Sequence, residues 1–324
     1  MIDVLIHSPF PQETGQGNSV TAERLLMILS GAGIEAEIET VNYQDAADAK
    51  CLVALNAWRS ASVVAEFDRE HPNRQIVVVV TGSDINHPEM KNESSDTRIT
   101  MERADMLVTL HDADLRVLPE RLQQKSVSIY PSVSLPADLR HRALREGCFD
   151  VVMAGNLRPV KNPQLAVKIA ALLPDDSPIL ISSYGDASAQ LASEMSRANS
   201  QCRHFKWLGK LDHASLIEKM ASSHVLLNTS TVEGGANAIC EAVTMGLPVI
   251  ASNIRGNVGM LGEDYPGLFT SESARAGLEL LQRCAEEPPF YELLKKRISE
   301  RASLFDFNEE SSAWIDLIQS RLVL

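Results

Sequence analysis

Two carboxylates and a glycine pair share one short stretch, Glu233-Gly234-Gly235-Ala236-Asn237-Ala238-Ile239-Cys240-Glu241. Apolar runs at 225–228 and 247–251 flank it, and both read as buried strands. Between them, residues 236–245 carry a helical pattern that stops at Gly246. The stretch is therefore a strand-to-helix turn inside a βαβ unit. Gly234 and Gly235 let backbone approach a ligand closely. The N–H groups freed at the helix start, around Ala236 and Asn237, favour an anion there. Glu233 precedes the helix, and Glu241 lies about two turns into it. Carboxylates repel phosphate but accept hydrogen bonds well from hydroxyls. A ligand with both phosphates and many hydroxyls fits, and a sugar nucleotide has both. A helix-end charge beside an unrelated surface glutamate is the alternative reading.

A second charged turn is Gly155-Asn156-Leu157-Arg158-Pro159-Val160-Lys161-Asn162-Pro163, between a strand-like run at 149–154 and a helical pattern at 164–173. Two cations on a proline-stiffened turn at a strand end suit a pyrophosphate. Solvated surface charge is the competing reading. In the N-terminal half, a glycine loop containing Gly15, Gly17 and Asn18 separates a short strand at 3–6 from a helical pattern at 20–29. Asn18 and Ser19 can cap that helix, and Gly17-Asn18 can also bind an anion. The spacing is not G-x-G-x-x-G, which argues against a dinucleotide enzyme. Arg59 follows the apolar run 51–55, and Thr81-Gly82-Ser83-Asp84 follows the run 76–80. Ligands of open α/β sheets bind beyond the C-terminal ends of strands, so Arg59, Thr81 and Asp84 are candidates to converge there. Turn chemistry and helix capping also account for Thr81 to Asp84. His111 ends the strand-like run 106–110 and is a lone candidate base.

These turns need a scaffold of alternating strands and helices. Further strand-like runs lie at 34–38, 127–130, 179–182 and 205–208, with helical patterns at 187–198, 213–222, 273–286, 290–304 and 308–322. Alternation of this kind implies an α/β protein with parallel sheets. At 324 residues the chain is long enough for two domains, and the proline- and charge-rich segment 131–147 is the candidate linker. The expected division is 1–147, 148–306 and a final helix at 307–324. A formal net charge of −13 argues against general binding to nucleic acid or an anionic membrane. The five cysteines are scattered, without C-x-x-C or zinc-like spacing, and read as small buried hydrophobes of a reducing compartment. No run approaches the ~20 apolar residues of a membrane helix. A cytoplasmic enzyme without metal or cofactor is the expectation.

The E-x7-E spacing from Glu233 to Glu241 resembles that of retaining glycosyltransferases of GT-B architecture, with two Rossmann-like domains facing a central cleft. The resemblance implies that Glu233 meets the donor sugar and Glu241 holds the ribose of the nucleotide. It also implies that Arg158 and Lys161 neutralise the leaving group, and that backbone around Leu208 and Gly209 reads the base. In such transferases the last helix crosses back to the first domain, a role that falls to 308–322.

A narrower resemblance rests on Gly15-Gln-Gly-Asn-Ser-Val-Thr-Ala, Arg59-Ser-Ala, Thr81-Gly-Ser-Asp, Gly155-Asn-Leu-Arg-Pro-Val-Lys-Asn-Pro, Glu233-Gly-Gly-Ala-Asn and Leu261-Gly-Glu-Asp-Tyr-Pro-Gly. Together these segments resemble the selenosugar synthases of selenoneine biosynthesis, which are similar to family 4 glycosyltransferases. The resemblance implies transfer from UDP-N-acetylglucosamine or UDP-glucose to the selenium of selenophosphate, with release of UDP and phosphate. It makes Arg158, Lys161 and Glu233 the catalytic set. Gly15, Gly17, Asn18, Arg59, Thr81 and Asp84 become the acceptor side. That family commonly carries histidine where this chain has Asn56. Three other readings stay open: an ordinary GT-B enzyme making an O-glycoside on a small acceptor, a phosphorylase or hydrolase, and a sugar-nucleotide sensor.

Overall fold

The computed structural model describes residues 2–11, 17–40, 49–86, 92, 95–136, 139, 141 and 147–321. They form two compact units, Met1–Ser132 with Asp306–Leu324, and Val133–Phe305. The sequence expectation drew the first boundary at 147. His141 sits with the second unit because its ring bonds the Ser223 carbonyl at 2.8 Å and its N–H donates to Met245 O.

The first unit opens with β1 (Val4–Ser8), α1 (Gly17–Gly31), β2 (Ala36–Thr40), β3 (Cys51–Leu55), α2 (Ala61–Glu70) and β4 (Gln75–Val80). It continues through α3 (Ser83–Asn86), α4 (Asp96–Arg103), β5 (Met106–Thr109), α5 (Asp112–Leu115), α6 (Glu120–Gln123) and β6 (Ser126–Ser128). All strands are parallel, in the order β2-β1-β3-β4-β5-β6. Parallel strands carry helices on both faces, so the central ones are mostly apolar, with polar residues such as His7, Ser8 and Thr109 toward their C-terminal ends. Their side chains divide with period two. Val4, Ile6, Val53, Val77, Val79 and Val108 pack on Leu25 and Leu29 of α1. Leu5, Leu52, Ile76, Val78, Val80 and Leu107 pack on Phe67 of α2 and Met101 of α4.

The second unit runs β7 (Phe149–Ala154), α7 (Pro163–Ala171), β8 (Ile179–Tyr184), α8 (Ala189–Gln201), β9 (Phe205–Trp207), α9 (His213–Ala221) and β10 (Val225–Asn228). It continues α10 (Asn237–Met245), β11 (Val249–Ser252), α11 (Arg255–Leu261), β12 (Leu268–Phe269), α12 (Ala274–Glu286) and α13 (Pro288–Ser299). Its parallel sheet has the order β12-β11-β10-β7-β8-β9. The last helix, α14 (Phe307–Arg321), belongs to the first unit, where Trp314, Leu317 and Ile318 join the α1 side of the core. Glu310 fixes it there, pairing with Arg24 of α1 at 2.8 Å and accepting from Ser132 N at 2.7 Å.

The two strand orders place one switch point in each unit. Succession reverses between β1 and β3 in the first sheet and between β7 and β10 in the second. The loops after those strands diverge to opposite faces and leave a crevice at the C-terminal strand ends. The predicted Gly155–Pro163 and Glu233–Asn237 turns follow β7 and β10, and so lie at one switch point.

Candidate active site

The two loops at the second switch point are stitched together by Thr229 and Thr231, just past the end of β10. Thr229 Oγ1 donates to the carbonyls of Lys161 and Asn162 at 2.8 and 3.0 Å, and Thr231 N donates to Val160 O at 2.8 Å. Asn162 takes left-handed backbone, φ 48°, a region asparagine tolerates, and begins α7. The short 3₁₀ turn Pro159–Lys161 leaves Arg158 exposed at its start.

Lys161 then reaches back across the crevice. Its Nζ pairs with Glu233 Oε1 at 2.5 Å, with side chains 23% and 9% exposed. Ser230 Oγ donates to the same oxygen at 2.6 Å. Burial pushes the Glu233 carboxyl up, but the Lys161 charge and the hydrogen bonds from Lys161, Ser230 and Asn228 outweigh it, so its pKa lies below the usual value. Glu233 is thus an anion held in place beside the Arg158–Lys161 turn. Behind it, Asn228 Oδ1 accepts from Ser230 N at 3.0 Å, while Asn257 Nδ2 donates to Ser252 O at 2.9 Å and Asn228 Oδ1 at 3.3 Å. Gly256 belongs to this packing, because a Cβ there would stand 2.3 Å from Glu233 O. A glycine is the side chain that lets α11 come this close.

Gly234, Gly235 and Ala236 complete the turn, and no side chain caps α10. Its first N–H groups are open to an anion, next to the Arg158 and Lys161 turn. Asn237 opens the helix, and Glu241 sits one turn further in rather than about two, with its side chain 9% exposed. His213 Nε2 bonds Glu241 Oε1 at 2.8 Å. The loop after β9 turns at Gly209, whose φ of 76° suits glycine, while Leu208 is exposed. Trp207 braces that loop rather than facing out, since its Nε1 donates to Gly185 O at 3.0 Å.

At the first switch point the chemistry differs. Asn56, at φ 74°, donates to Thr81 Oγ1 at 2.9 Å and Ser83 Oγ at 2.7 Å and accepts from Arg59 N at 2.9 Å. Asp84 is fully buried and accepts from the N–H groups of Ala57 and Thr81, each at 3.0 Å. Burial pushes its carboxyl up to about 6, against the hydrogen bonds from Thr81, Ala57 and Ser83 and with the nearby Asp114 charge raising it further. These contacts spend the Asp84 carboxylate on tying the β3 and β4 loops together. His111 is buried too, and its Nδ1 accepts from Asp114 N at 3.2 Å at the start of α5. Arg59 is exposed, with its guanidinium over the Phe10 ring at 4.9 Å and the Trp58 ring at 4.7 Å. Gly17 and Asn18 lie inside the first turn of α1, so neither Asn18 nor Ser19 stands at a cap position. Gly15 lies outside the described residues.

Arg158, Lys161 and the Glu233–Asn237 turn therefore share the second switch point, whereas Leu208 and Gly209 follow the edge strand β9. In the first unit Gly17, Asn18 and Arg59 follow β1 and β3, and Thr81 and Asp84 follow the neighbouring β4. Sequence reasoning did not single out Ser230, Asn257 or His213. The first two follow strand ends, and that position was the available signal. Among the described residues, no group of three or more His, Cys, Asp or Glu is placed to hold a metal ion. No described helix is long and apolar enough to cross a membrane.

The model of the family "Glycosyl transferases group 1" matches residues 136–302. Among solved structures, the chain is similar to sucrose-phosphate synthase from Thermosynechococcus elongatus, with TM-score 0.77 and 16% identity over 99% of both chains. It is also similar to HepE of Anabaena in complex with UDP and glucose, with TM-score 0.75 and 16% identity over 99% of this chain and 100% of that one. The pneumococcal O-GlcNAc transferase GtfA, in complex with UDP and GlcNAc, gives a TM-score of 0.61 at 16% identity over 84% of this chain and 57% of its own. No curated protein sequence matches the chain significantly. The fold is GT-B, built here of two Rossmann-like units, each with a parallel six-stranded sheet. With the match spanning more than half of its residues, the chain belongs to the glycosyl transferases group 1 family.

Proposed function

We propose that the chain is a selenosugar synthase, moving the sugar of a UDP-sugar onto the selenium of selenophosphate. The donor is UDP-N-acetylglucosamine or UDP-glucose. The observation that carries the reading is a contrast in the site. The donor turn presents ionised groups, whereas the acid–base candidates of the first unit, Asp84 and His111, are buried and bonded. A hydroxyl acceptor is a weak nucleophile and often needs a base. Selenium in selenophosphate is already anionic and soft, so a dedicated base is less necessary. The Arg-Pro-Val-Lys, Glu-Gly-Gly-Ala-Asn and Leu-Gly-Glu-Asp-Tyr-Pro-Gly segments support the same assignment. HepE, solved with UDP-glucose, supports the donor class.

In this account the pyrophosphate lies on the α10 N-terminus between Arg158 and Lys161, with the sugar against Glu233 and the ribose on Glu241. Leu208 and Gly209 edge the base. Arg59, Thr81 and the start of α1 at Gly17 and Asn18 receive the acceptor anion, with Asp84 holding that loop in shape. A selenium lone pair forms the C–Se bond at the anomeric carbon, and the C–O bond breaks with its electron pair going to the β-phosphate of UDP. Arg158 and Lys161 stabilise that developing charge, the step at which preorganised cations contribute most. Water then cleaves the Se–P bond, giving phosphate and the 1-selenosugar. Transfer is metal-independent in this reading, so EDTA should leave the rate unchanged.

The test is a continuous assay of UDP release from UDP-N-acetylglucosamine. Release that requires selenophosphate is the expected result. Equal release with water or inorganic phosphate alone would replace the reading with a hydrolase or phosphorylase.

A further inference from the structure

We propose that His213 is a nucleotide-positioning residue. Its hydrogen bond fixes the Glu241 carboxylate in the orientation that receives the ribose, and its charge offsets that of Glu241 beside an anionic ligand. This rests on the donor reading above.

His213 is the first residue of α9, and its backbone is fixed by the cap before it. Asp212 Oδ1 accepts from Ser215 N at 2.8 Å, and Oδ2 accepts from Ser215 Oγ at 2.7 Å. From there the ring spans to α10 and bonds Glu241 Oε1 at 2.8 Å. The His213 side chain is 66% exposed and that of Glu241 only 9%. An ion pair with one partner so exposed adds little to folding stability. Its geometry has another use, because a nearly buried carboxylate at the edge of an open helix N-terminus needs a defined orientation. With Oε1 held by His213, Oε2 keeps its lone pairs for a ligand hydroxyl.

The charges around the ring are few. Glu241 faces it from α10 and Asp212 from the cap. Glu218 and Lys219 are exposed in the C-terminal half of α9. On β7, Asp150 lies beyond the far end of α9, where its carbonyl accepts from His224 N. The bond to Glu241 raises the His213 pKa above its usual value, against the opposing effect of burial. Below that pKa the pair is neutral, and above it the site carries one more negative charge. Affinity for an anionic nucleotide should therefore fall as pH rises through it.

The experiment is a calorimetric titration with UDP-N-acetylglucosamine, whose phosphodiester groups do not titrate from about pH 6 to pH 8.5. Wild type should bind more weakly as pH rises across that range. His213→Ala should bind about tenfold more weakly at the low end, the scale of a hydrogen bond to a charged group, and lose the pH dependence. The donor KM should rise in that variant by more than kcat falls. His213→Gln, which still donates but cannot ionise, should regain most of the affinity while remaining flat with pH. Glu241→Gln is the control on the donor reading. If it weakens binding while His213→Ala keeps wild-type affinity and slope, the inference about His213 is wrong and the donor reading stands. If Glu241→Gln binds normally, the ribose assignment fails and the inference falls with it.

Discussion

At the switch point of the second unit, an ammonium and a carboxylate stand in direct contact on loops that side chains hold together. At the switch point of the first unit, the acid at the strand end is buried and bonded to two backbone N–H groups, and an asparagine joins the loops. Both crevices come from the same reversal of strand order. What differs is where ionisable groups are spent. In the second unit they pair with each other across the crevice, and in the first the Asp84 carboxylate is bonded to backbone. Topology alone therefore locates two crevices but assigns chemistry to neither.

The sharpest way to break this contrast is to remove the cations of the Arg158–Lys161 turn. Arg158→Ala and Lys161→Ala should each lower kcat about 10²- to 10³-fold, with a smaller loss of UDP affinity, measured by steady-state kinetics and titration. Losses confined to binding would remove the leaving-group role. A second test uses pH. Burial lowers the His7 pKa to about 4, and Asp84 is raised to about 6. Between those values the unfolded chain holds the proton on His7 and the folded chain holds it on Asp84. The Asp84 contribution is complete below its unfolded pKa and lost as pH rises through about 6, whereas the His7 contribution grows as pH rises from about 4. The two oppose each other, each by up to about 3 kcal/mol. Chemical denaturation of Asp84→Asn should show stability rising with pH across this window, and His7→Gln should show it falling. Matching profiles in the two variants would contradict the opposed titrations.

A smaller effect belongs to Asn56→Ala. It removes the amide bonds to Thr81 Oγ1 and Ser83 Oγ and the acceptor of the Arg59 N–H, and should cost about 2 kcal/mol in a urea melt. UDP affinity should stay within about twofold of wild type, because the change lies in the other unit. A large loss of UDP binding would show the two switch points to be coupled.

Much of this was legible in the chain. The runs 51–55, 149–154 and 225–228 coincide with β3, β7 and β10, since a parallel strand covered on both faces is apolar along most of its length. The turns that follow β7 and β10 then fall at one switch point. Three features had no local signal. The buried face of α4 is Thr97, Arg98, Thr100 and Met101, which makes no apolar stripe. Arg255–Leu261 is helical although Gly256 and Gly259 lie within it, and Gly256 there serves close approach to Glu233. His213 and Glu241 are partners 28 positions apart, a distance at which no periodic pattern connects them. Asp84 shows the converse. A strand-end acid has the same sequence signature whether it faces a ligand or the backbone, and only its burial separates the two.

The central claim is that the bond formed joins the anomeric carbon to selenium. The most direct measurement is mass spectrometry of the products from purified protein, UDP-N-acetylglucosamine and selenophosphate. The account predicts a sugar carrying the selenium isotope pattern together with UDP, and its loss when selenophosphate is omitted. A selenium-free O-glycoside, or free N-acetylglucosamine formed at the same rate without selenophosphate, would contradict it.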